Sequence, residues 1–480
     1  MKDREVYDVE RNIQFNILTP EMKEKINEGA LTILEDIGMK ISGERTLAKF
    51  AEKGIKPDAD GMTRIPRSLV QWALDVVPKE ITLYGMDGNP RMQIDKSNRV
   101  YFGTHNDMNE IVDYKTNKAR PMLLEDIQTM CKIASNCENI DFVLSVGLID
   151  DVDPRIQSQM AFIESCKYME KTINFSTNDV DSLQEIIDIA AELAGGHDKL
   201  AERPFIFNYC EPIPPLTHPF ESTEKLYIVA SNGIPTVYMP YCMMGGTAPM
   251  DRPTTLAQCF AEILCGLVIT QLIREGTPYI AGSMPSIIDM QSTIASYACP
   301  EFHMMVAASS EMADYYQLPF YGTCGASDVR TFDQQSAGEI SYQILSTLLS
   351  KANIINDMGL HDHCVNICPA AVVWANDKIN GFKSYLRGVQ GDVDLDLIRD
   401  VGAAGNYLSE DNTLERFREE VWYPQIETRR NVTTEESELY GRIVERIDTI
   451  LAENPGSKLS QDKLDFLDKK AKEFLARVQA

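Results

Sequence analysis

The stretch LPFYGTCGASDVRTFDQQSAGE, residues 318–339, decides how the chain folds. An apolar run stops at a string of small and polar residues, Gly322 to Asp328, and a helix-like pattern follows. Strand, tight loop and helix in that order form the unit from which parallel sheets are built. Outward from it the texture recurs in FVLSVGLI (142–149), TINFST (172–177), PFIFNYCEP (204–212), PTVYMPYC (235–242), PYIAGSM (278–284) and ANIINDM (352–358). Between most of these runs lies a helical pattern, such as Thr255 to Glu275. Continuous apolar strands alternating with helices predict a parallel sheet covered on both faces. Seven such units, with an eighth strand expected near CVNICPAAVVW (364–374), predict an α/β fold of the TIM type, a closed (β/α)8 barrel. An open dinucleotide-binding sheet has less support, because no GxGxxG follows the first strand.

The ends read differently. Thr19 as N-cap, Pro20 in the first turn, apolar residues at Met22, Ile26, Ala30, Ile33 and Ile37, and Gly38 as stop predict a helix. Helices near Thr46–Lys53 and Pro66–Val77 and the strand-like pieces ITLYGM and RVYFGTH complete an N-terminal helical layer with a small β element, residues 1–122. The barrel is expected over 123–406 and a C-terminal helical extension over 407–480. That extension carries a capping box at Thr433 and Glu436, a stop at Asn454-Pro455-Gly456 and a last helix over Gln461–Val478.

Composition limits the function. With 72 acidic against 46 basic side chains the net charge is −26, which argues against a nucleic-acid partner. No uncharged apolar run approaches the roughly eighteen residues of a membrane span, and Met1 to Arg11 is too charged for a signal peptide. A cytoplasmic protein without a membrane partner is expected, its 11 cysteines reduced thiols.

In a barrel the chemistry sits at the C-terminal ends of the strands. Those ends read Asn208-Tyr209-Cys210-Glu211, Tyr238-Met239-Pro240-Tyr241, Gly282-Ser283-Met284, Phe320-Tyr321-Gly322-Thr323 and Asn356-Asp357-Met358. Aromatic rings and methionines with a few carboxylates suit an alkylated cation, since a quaternary ammonium is held by aromatic faces and donates no hydrogen bond. Tyrosines here also serve as packing residues with the hydroxyl at a wet rim. GLHDHCVNICP (359–369) could ligate zinc through His361, His363 and Cys364, although it lacks the spaced pairs of a structural zinc site. Histidines at a strand end also donate to a substrate carboxylate. The loop MMGGTAPMDRPTT (243–255) could cradle an anion but has no P-loop lysine, and no GxSxG elbow supports serine hydrolysis. Gly322, Gly325, Ala326 and Ser327 are either a tight turn or a floor kept small so that something flat and large can approach the mouth.

The chain resembles the trimethylamine methyltransferase family of corrinoid-dependent methyltransferases over nearly its whole length. The resemblance is carried by YMPYCMMGGTAPMDRPTT (238–255), Ile287-Ile288-Asp289-Met290, Pro300-Glu301, Cys324-Gly325-Ala326-Ser327-Asp328-Val329 and KANIINDMGL (351–360). It implies a TIM barrel, a homo-oligomer and methyl transfer to Co(I) of a corrinoid. Trimethylamine members carry pyrrolysine where this sequence reads Gly325-Ala326-Ser327. The resemblance is therefore to relatives lacking it, which demethylate quaternary amines such as glycine betaine, proline betaine, carnitine or γ-butyrobetaine. Such an amine leaves neutral and needs no general acid, so the enzyme mainly positions it.

By strand-end position and residue type, Phe102, Tyr209, Tyr241 and Phe320 are candidates for the ammonium cage. Arg330, His361 and His363 are candidates for a carboxylate tail, and Glu211, Asp289 and Asp328 for orienting or balancing charge. None of the six histidines, at 105, 197, 218, 303, 361 and 363, stands in the Asp-x-His-x-x-Gly cobalamin signature. The corrinoid is expected on a separate partner protein, with no bound metal in this chain. Two other readings stand beside this one: a zinc-dependent barrel acting as a hydrolase or a thiol-activating methyltransferase, and a non-catalytic betaine-binding module.

Overall fold

The computed structural model describes residues 14–95, 99–389, 391–433, 438–454 and 456–479. Eight parallel strands close into a barrel in chain order. They are β1 (Tyr101–His105), β2 (Phe142–Ser145), β3 (Thr172–Phe175), β4 (Ile206–Cys210), β5 (Thr236–Tyr238), β6 (Tyr279–Gly282), β7 (Phe320–Thr323) and β8 (Ile354–Asn356). The seam is the pairing of β8 with β1, Ile354 opposite Tyr101 and Ile355 opposite Phe102. The TIM-type barrel is thus present.

The eighth strand is not where the sequence reading put it. The RVYFGTH run supplies β1, although it lies within the stretch assigned to the N-terminal layer. In CVNICPAAVVW only Asn366–Ile367 is extended, pairing with Leu360–His361 and with Glu110–Asp113 in a small sheet outside the barrel. Pro369 then opens the helix Pro369–Leu386, and Ala370 to Trp374 are one buried stripe of it. A short apolar run has the same composition as a buried helical turn, so its hydrophobicity alone could not choose between them.

At the N-terminus Thr19 Oγ1 accepts from the Met22 amide at 3.2 Å and caps the helix Pro20–Thr32, whose last turn widens into Ile33–Ile37 before Gly38. This helix packs on the long helix Arg252–Ile273, which is apolar enough to cross a membrane yet is enclosed within the fold. Of the C-terminal helices, Leu439–Glu453 lies on Leu124–Asn136 and Pro369–Leu386, and Gln461–Gln479 lies on Gln157–Tyr168. The expected capping box falls partly on Glu436, outside the described residues, and the helix starts at Leu439. All eleven cysteines are free thiols.

The barrel interior is filled. Phe142 and Phe207 meet edge to face at 5.4 Å between centroids, and Tyr321 lies 6.2 and 6.4 Å from them. Gly103 makes room for this plug, because a Cβ there would fall 2.3 Å from the Phe142 ring. Each ring withdrawn from water contributes about 1.5–3 kcal/mol.

Helix Arg252–Ile273 contains one buried carboxyl, Glu262. Its Oε1 accepts from the Leu216 amide at 3.0 Å and from Gln258 Nε2 at 3.1 Å, while Oε2 has no partner among the described residues. Burial pushes the group up to about 7, well above its value in the unfolded chain. The neutral form is therefore favoured by folding: its contribution is complete below the unfolded pKa and is lost as pH rises through about 7. Glu262→Gln should raise the melting temperature at pH 8, by the equivalent of about 1–3 kcal/mol, and change it little near pH 4. Thermal melts of both proteins across that range check this.

Candidate active site

Parity along each strand decides which side chains reach the mouth. Inward and outward positions alternate, so the plug fixes the phase for every strand it touches. On β7 Tyr321 joins the plug and Thr323 stands one step above it; Phe320 points the other way, its ring beside Val306 of the helix Pro300–Tyr315. On β1 Gly103 and His105 face inward and Phe102 outward. The two phenylalanines expected in the cage are therefore packing residues between barrel and helices.

Above the plug, β4 contributes Tyr209 and Glu211. The Tyr209 and Tyr321 rings lie 5.9 Å apart, and the Tyr209 hydroxyl donates to Glu211 Oε1. Glu211 is solvent-accessible although protein crowds it closely, so it lines an internal recess and not the outer surface. Desolvation there raises its carboxyl above the usual range; the Tyr209 hydrogen bond opposes this, and the negative Asp357 adds to it. Asp357, just past β8, is held by the Thr323 hydroxyl and by Asn356 Nδ2 at 3.0 Å. His105 Nε2 lies 3.1 Å from both Asp357 Oδ1 and Asn356 Nδ2. Three buried polar atoms at this level have no protein partner among the described residues: the Tyr321 hydroxyl, His105 Nδ1 and Asn356 Oδ1.

The opposite wall is aromatic. Tyr241, after β5, stacks on Tyr297 at 6.2 Å and 17°. Tyr297 comes from the loop after β6, and its backbone is fixed by the residues behind it. Its amide donates to Asp328 Oδ1 at 2.8 Å and its carbonyl lies 2.8 Å from His303 Nε2. Asp328 also receives the Ser296 hydroxyl, and His363 Nδ1 sits 3.3 Å from it and 3.2 Å from the Ala295 carbonyl. Asp328 and His363 thus set the position of Tyr297.

Cys364 ends three consecutive left-handed residues, Asp362, His363 and Cys364, with φ of 54°, 54° and 70°. Its thiol is pushed up to about 12 by burial, with the charge of Asp357 adding to the effect. It is a neutral wall residue.

Of the sequence candidates, the mouth brings together Tyr209, Tyr241 and Glu211, with Asp328 and His363 behind Tyr297. The rest lie elsewhere. Arg330 is spent on Glu110 and Asp362 at the surface. His361 is buried with Nε2 2.7 Å from Ser336 Oγ and Nδ1 3.1 Å from the Gly359 carbonyl. Asp289 is exposed and closes its own turn onto Ser292 and the Gln291 amide. Because His361 has both nitrogens occupied, the zinc set His361, His363 and Cys364 does not converge, and among the described residues no three metal-binding side chains do.

Sequence reasoning missed His105, Tyr297, Tyr321 and Asp357 as site residues. Tyr321 was one position from the chosen Phe320, and only strand parity separates the two. Tyr297 gave no signal, because it comes from a loop. The Gly325–Ser327 loop is packed and not open. A Cβ on Gly325 (φ +84°) would lie 2.5 Å from Met358 Sδ. Gln343 Oε1 accepts from the Gly325 and Ala326 amides at 2.7 and 3.1 Å, its Nε2 donates to the Ala326 carbonyl at 2.7 Å, and Ser327 Oγ donates to Glu339 at 2.6 Å. The residues there are small because the turn is filled from behind.

Comparison with known proteins agrees with this architecture. The family described as trimethylamine methyltransferase (MTTB) matches residues 2–478. The trimethylamine methyltransferase of Desulfitobacterium hafniense is 28% identical over 82% of this chain and 80% of its own. A glycine betaine methyltransferase of the same species is 25% identical over 87% of each chain. The trimethylamine methyltransferase of Methanosarcina barkeri is 26% identical over 86% of this chain and 84% of its own. Among solved structures, the monomethylamine methyltransferase of Methanosarcina barkeri superposes with a TM-score of 0.54 at 11% identity, covering 92% of this chain and 90% of that one, a likeness of fold. A closed (β/α)8 barrel with its polar and aromatic side chains at the C-terminal mouth, matched from residue 2 to residue 478, belongs to the trimethylamine methyltransferase family.

Proposed function

We propose that this methyltransferase-family chain demethylates a carboxylated quaternary amine, of the glycine betaine, proline betaine, carnitine or γ-butyrobetaine type, and that the methyl group passes to a corrinoid on a separate cytoplasmic protein. The observation that carries this reading is the composition of the recess. Tyr209, Tyr241 and Tyr297 surround it with Tyr321 buried beneath, and Glu211 and Asp357 make it anionic. An ammonium bearing only alkyl groups is attracted by ring faces, worth about 0.5–2 kcal/mol per contact, and by carboxylates that need no N–H to meet it.

In this mechanism Tyr209, backed by the buried Tyr321 ring, forms the floor against which the ammonium rests. The carboxylates of Glu211 and Asp357 supply its counter-charge. The Tyr241–Tyr297 stack closes one side and orients one methyl toward the opening. No proton is needed at nitrogen, because the departing tertiary amine is neutral. The corrinoid supplies a strongly nucleophilic cobalt centre that accepts the methyl group. Five of the six histidines of this chain are engaged inside the fold, by Asp357, Tyr238, the Tyr297 carbonyl, Ser336 and Asp328. His197 lies beside Asp188 on the helix Val180–Ala194. Ile213, Phe220, Met250, Met290, Ile294 and Val365 are exposed in the segments following β4, β5, β6 and β8, giving the mouth an apolar rim on which the corrinoid protein can seat.

Two outcomes follow. Because the Glu211 carboxyl is raised and the cation needs its ionised form, the KM for the amine should rise as pH falls, starting above the ordinary glutamate range. Glu211→Gln should raise KM by about tenfold or more and abolish that pH dependence, measured as loss of cob(I)alamin absorbance against amine concentration. Met290→Glu combined with Ile294→Glu should raise the KM for the corrinoid protein by about tenfold, with a much smaller effect when free cob(I)alamin is the acceptor. Failure of every quaternary amine to react with cob(I)alamin would remove the proposal.

A further inference from the structure

The substrate proposed above carries a carboxylate, and the mouth as described supplies negative charge to its other end. The positive groups expected for the tail are committed elsewhere: Arg330 to Glu110 and Asp362, His361 to Ser336 and the Gly359 carbonyl. A lysine that forms no ion pair among the described residues stands near the ends of β3 and β4. Lys225 lies in the second turn of the helix Phe220–Ser231, which follows β4, and its side chain is half-buried. Its Nζ donates to the carbonyl of Thr177, two residues beyond the end of β3. The ammonium therefore stands between the ends of β3 and β4, and its charge acts on Cys210 and on Glu211.

With 72 acidic side chains against 46 basic ones, carboxylates are in excess, yet among the described residues Lys225 pairs with none. A backbone carbonyl holds one of its three N–H donors and, among the described residues, leaves the other two without a protein partner. Those two donors can meet an incoming carboxylate. The four-carbon stem keeps the head movable, so tails of different length can be met from one anchor point.

We infer that Lys225 is the specificity-determining residue for the substrate's tail, pairing with its carboxylate while the ammonium rests against Tyr209 and Glu211. The inference rests on the quaternary-amine reading above. It separates two kinds of quaternary amine that share a head group: betaines gain the Lys225 contact, whereas choline and tetramethylammonium do not.

The test uses the purified full chain with free cob(I)alamin as acceptor and glycine betaine, γ-butyrobetaine, choline and tetramethylammonium as donors. Lys225→Met should lower the ratio of kcat/KM for the better betaine over choline by about 10- to 100-fold, mainly through KM, as loss of a charged hydrogen bond does. Lys225→Arg should restore most of that ratio. Calorimetric titration of each protein with the betaine should show the same loss of affinity in the absence of cobalamin. A ratio within about twofold of the wild-type value, or equal losses on both kinds of donor, would overturn the assignment and leave Lys225 as a brace for the Thr177 carbonyl. If the wild-type chain takes a methyl group from none of the four, the quaternary-amine reading falls first and this inference falls with it. Wild-type turnover that is indifferent to Lys225→Met removes this inference alone.

Discussion

Pairing of Ile354 with Tyr101 and of Ile355 with Phe102 closes the ribbon of parallel strands into a barrel, and the candidate site depends on that seam. Closure leaves each strand only two faces, one toward the axis and one toward the helices. A side chain's place along its strand then decides its role. His105 and Asp357 belong to strands at opposite ends of the barrel sequence and meet at 3.1 Å only because the first strand lies beside the last. An open sheet with the same strands would put them on opposite edges.

Much of the barrel was legible because buried parallel strands are apolar on both faces and so interrupt the helical period. The seven runs from FVLSVGLI to ANIINDM all contain strands. RVYFGTH was readable as extended but not as a barrel strand, since its partner β8 lies some 250 residues away and a local pattern carries no information about such a pairing. CVNICPAAVVW misled for the reason given by Pro369: a proline that opens a helix also bounds an apolar run. The site was legible in composition and less so in address. Tyr209, Tyr241 and Glu211 stand in the mouth because their positions end or follow strands, whereas Phe102 and Phe320 have the right chemistry on the wrong parity. Arg330 was chosen for its charge, which Glu110 and Asp362 neutralise, an arrangement that only spatial proximity reveals.

The electrostatics of the mouth invert the usual arrangement of an interior. Glu211 and Asp357 face a shared space with tyrosine hydroxyls and a raised thiol around them, and their repulsion is relieved by hydrogen bonds more than by cations. On the proposed reading, a guest with fixed positive charge would relieve that repulsion without any proton transfer. The three unpartnered atoms at the same level, on Tyr321, His105 and Asn356, add to the polarity of this recess.

The plug of Phe142, Phe207 and Tyr321 has a kinetic corollary. Because the barrel is filled beneath the recess, whatever enters must do so from the strand-end face, and whatever leaves must return the same way. A small donor and a bulky acceptor that share one doorway cannot pass each other. On the methyl-transfer reading proposed above, the donor would arrive first and the acceptor cover it, so the product would leave only after the larger visitor and that departure would set the pace.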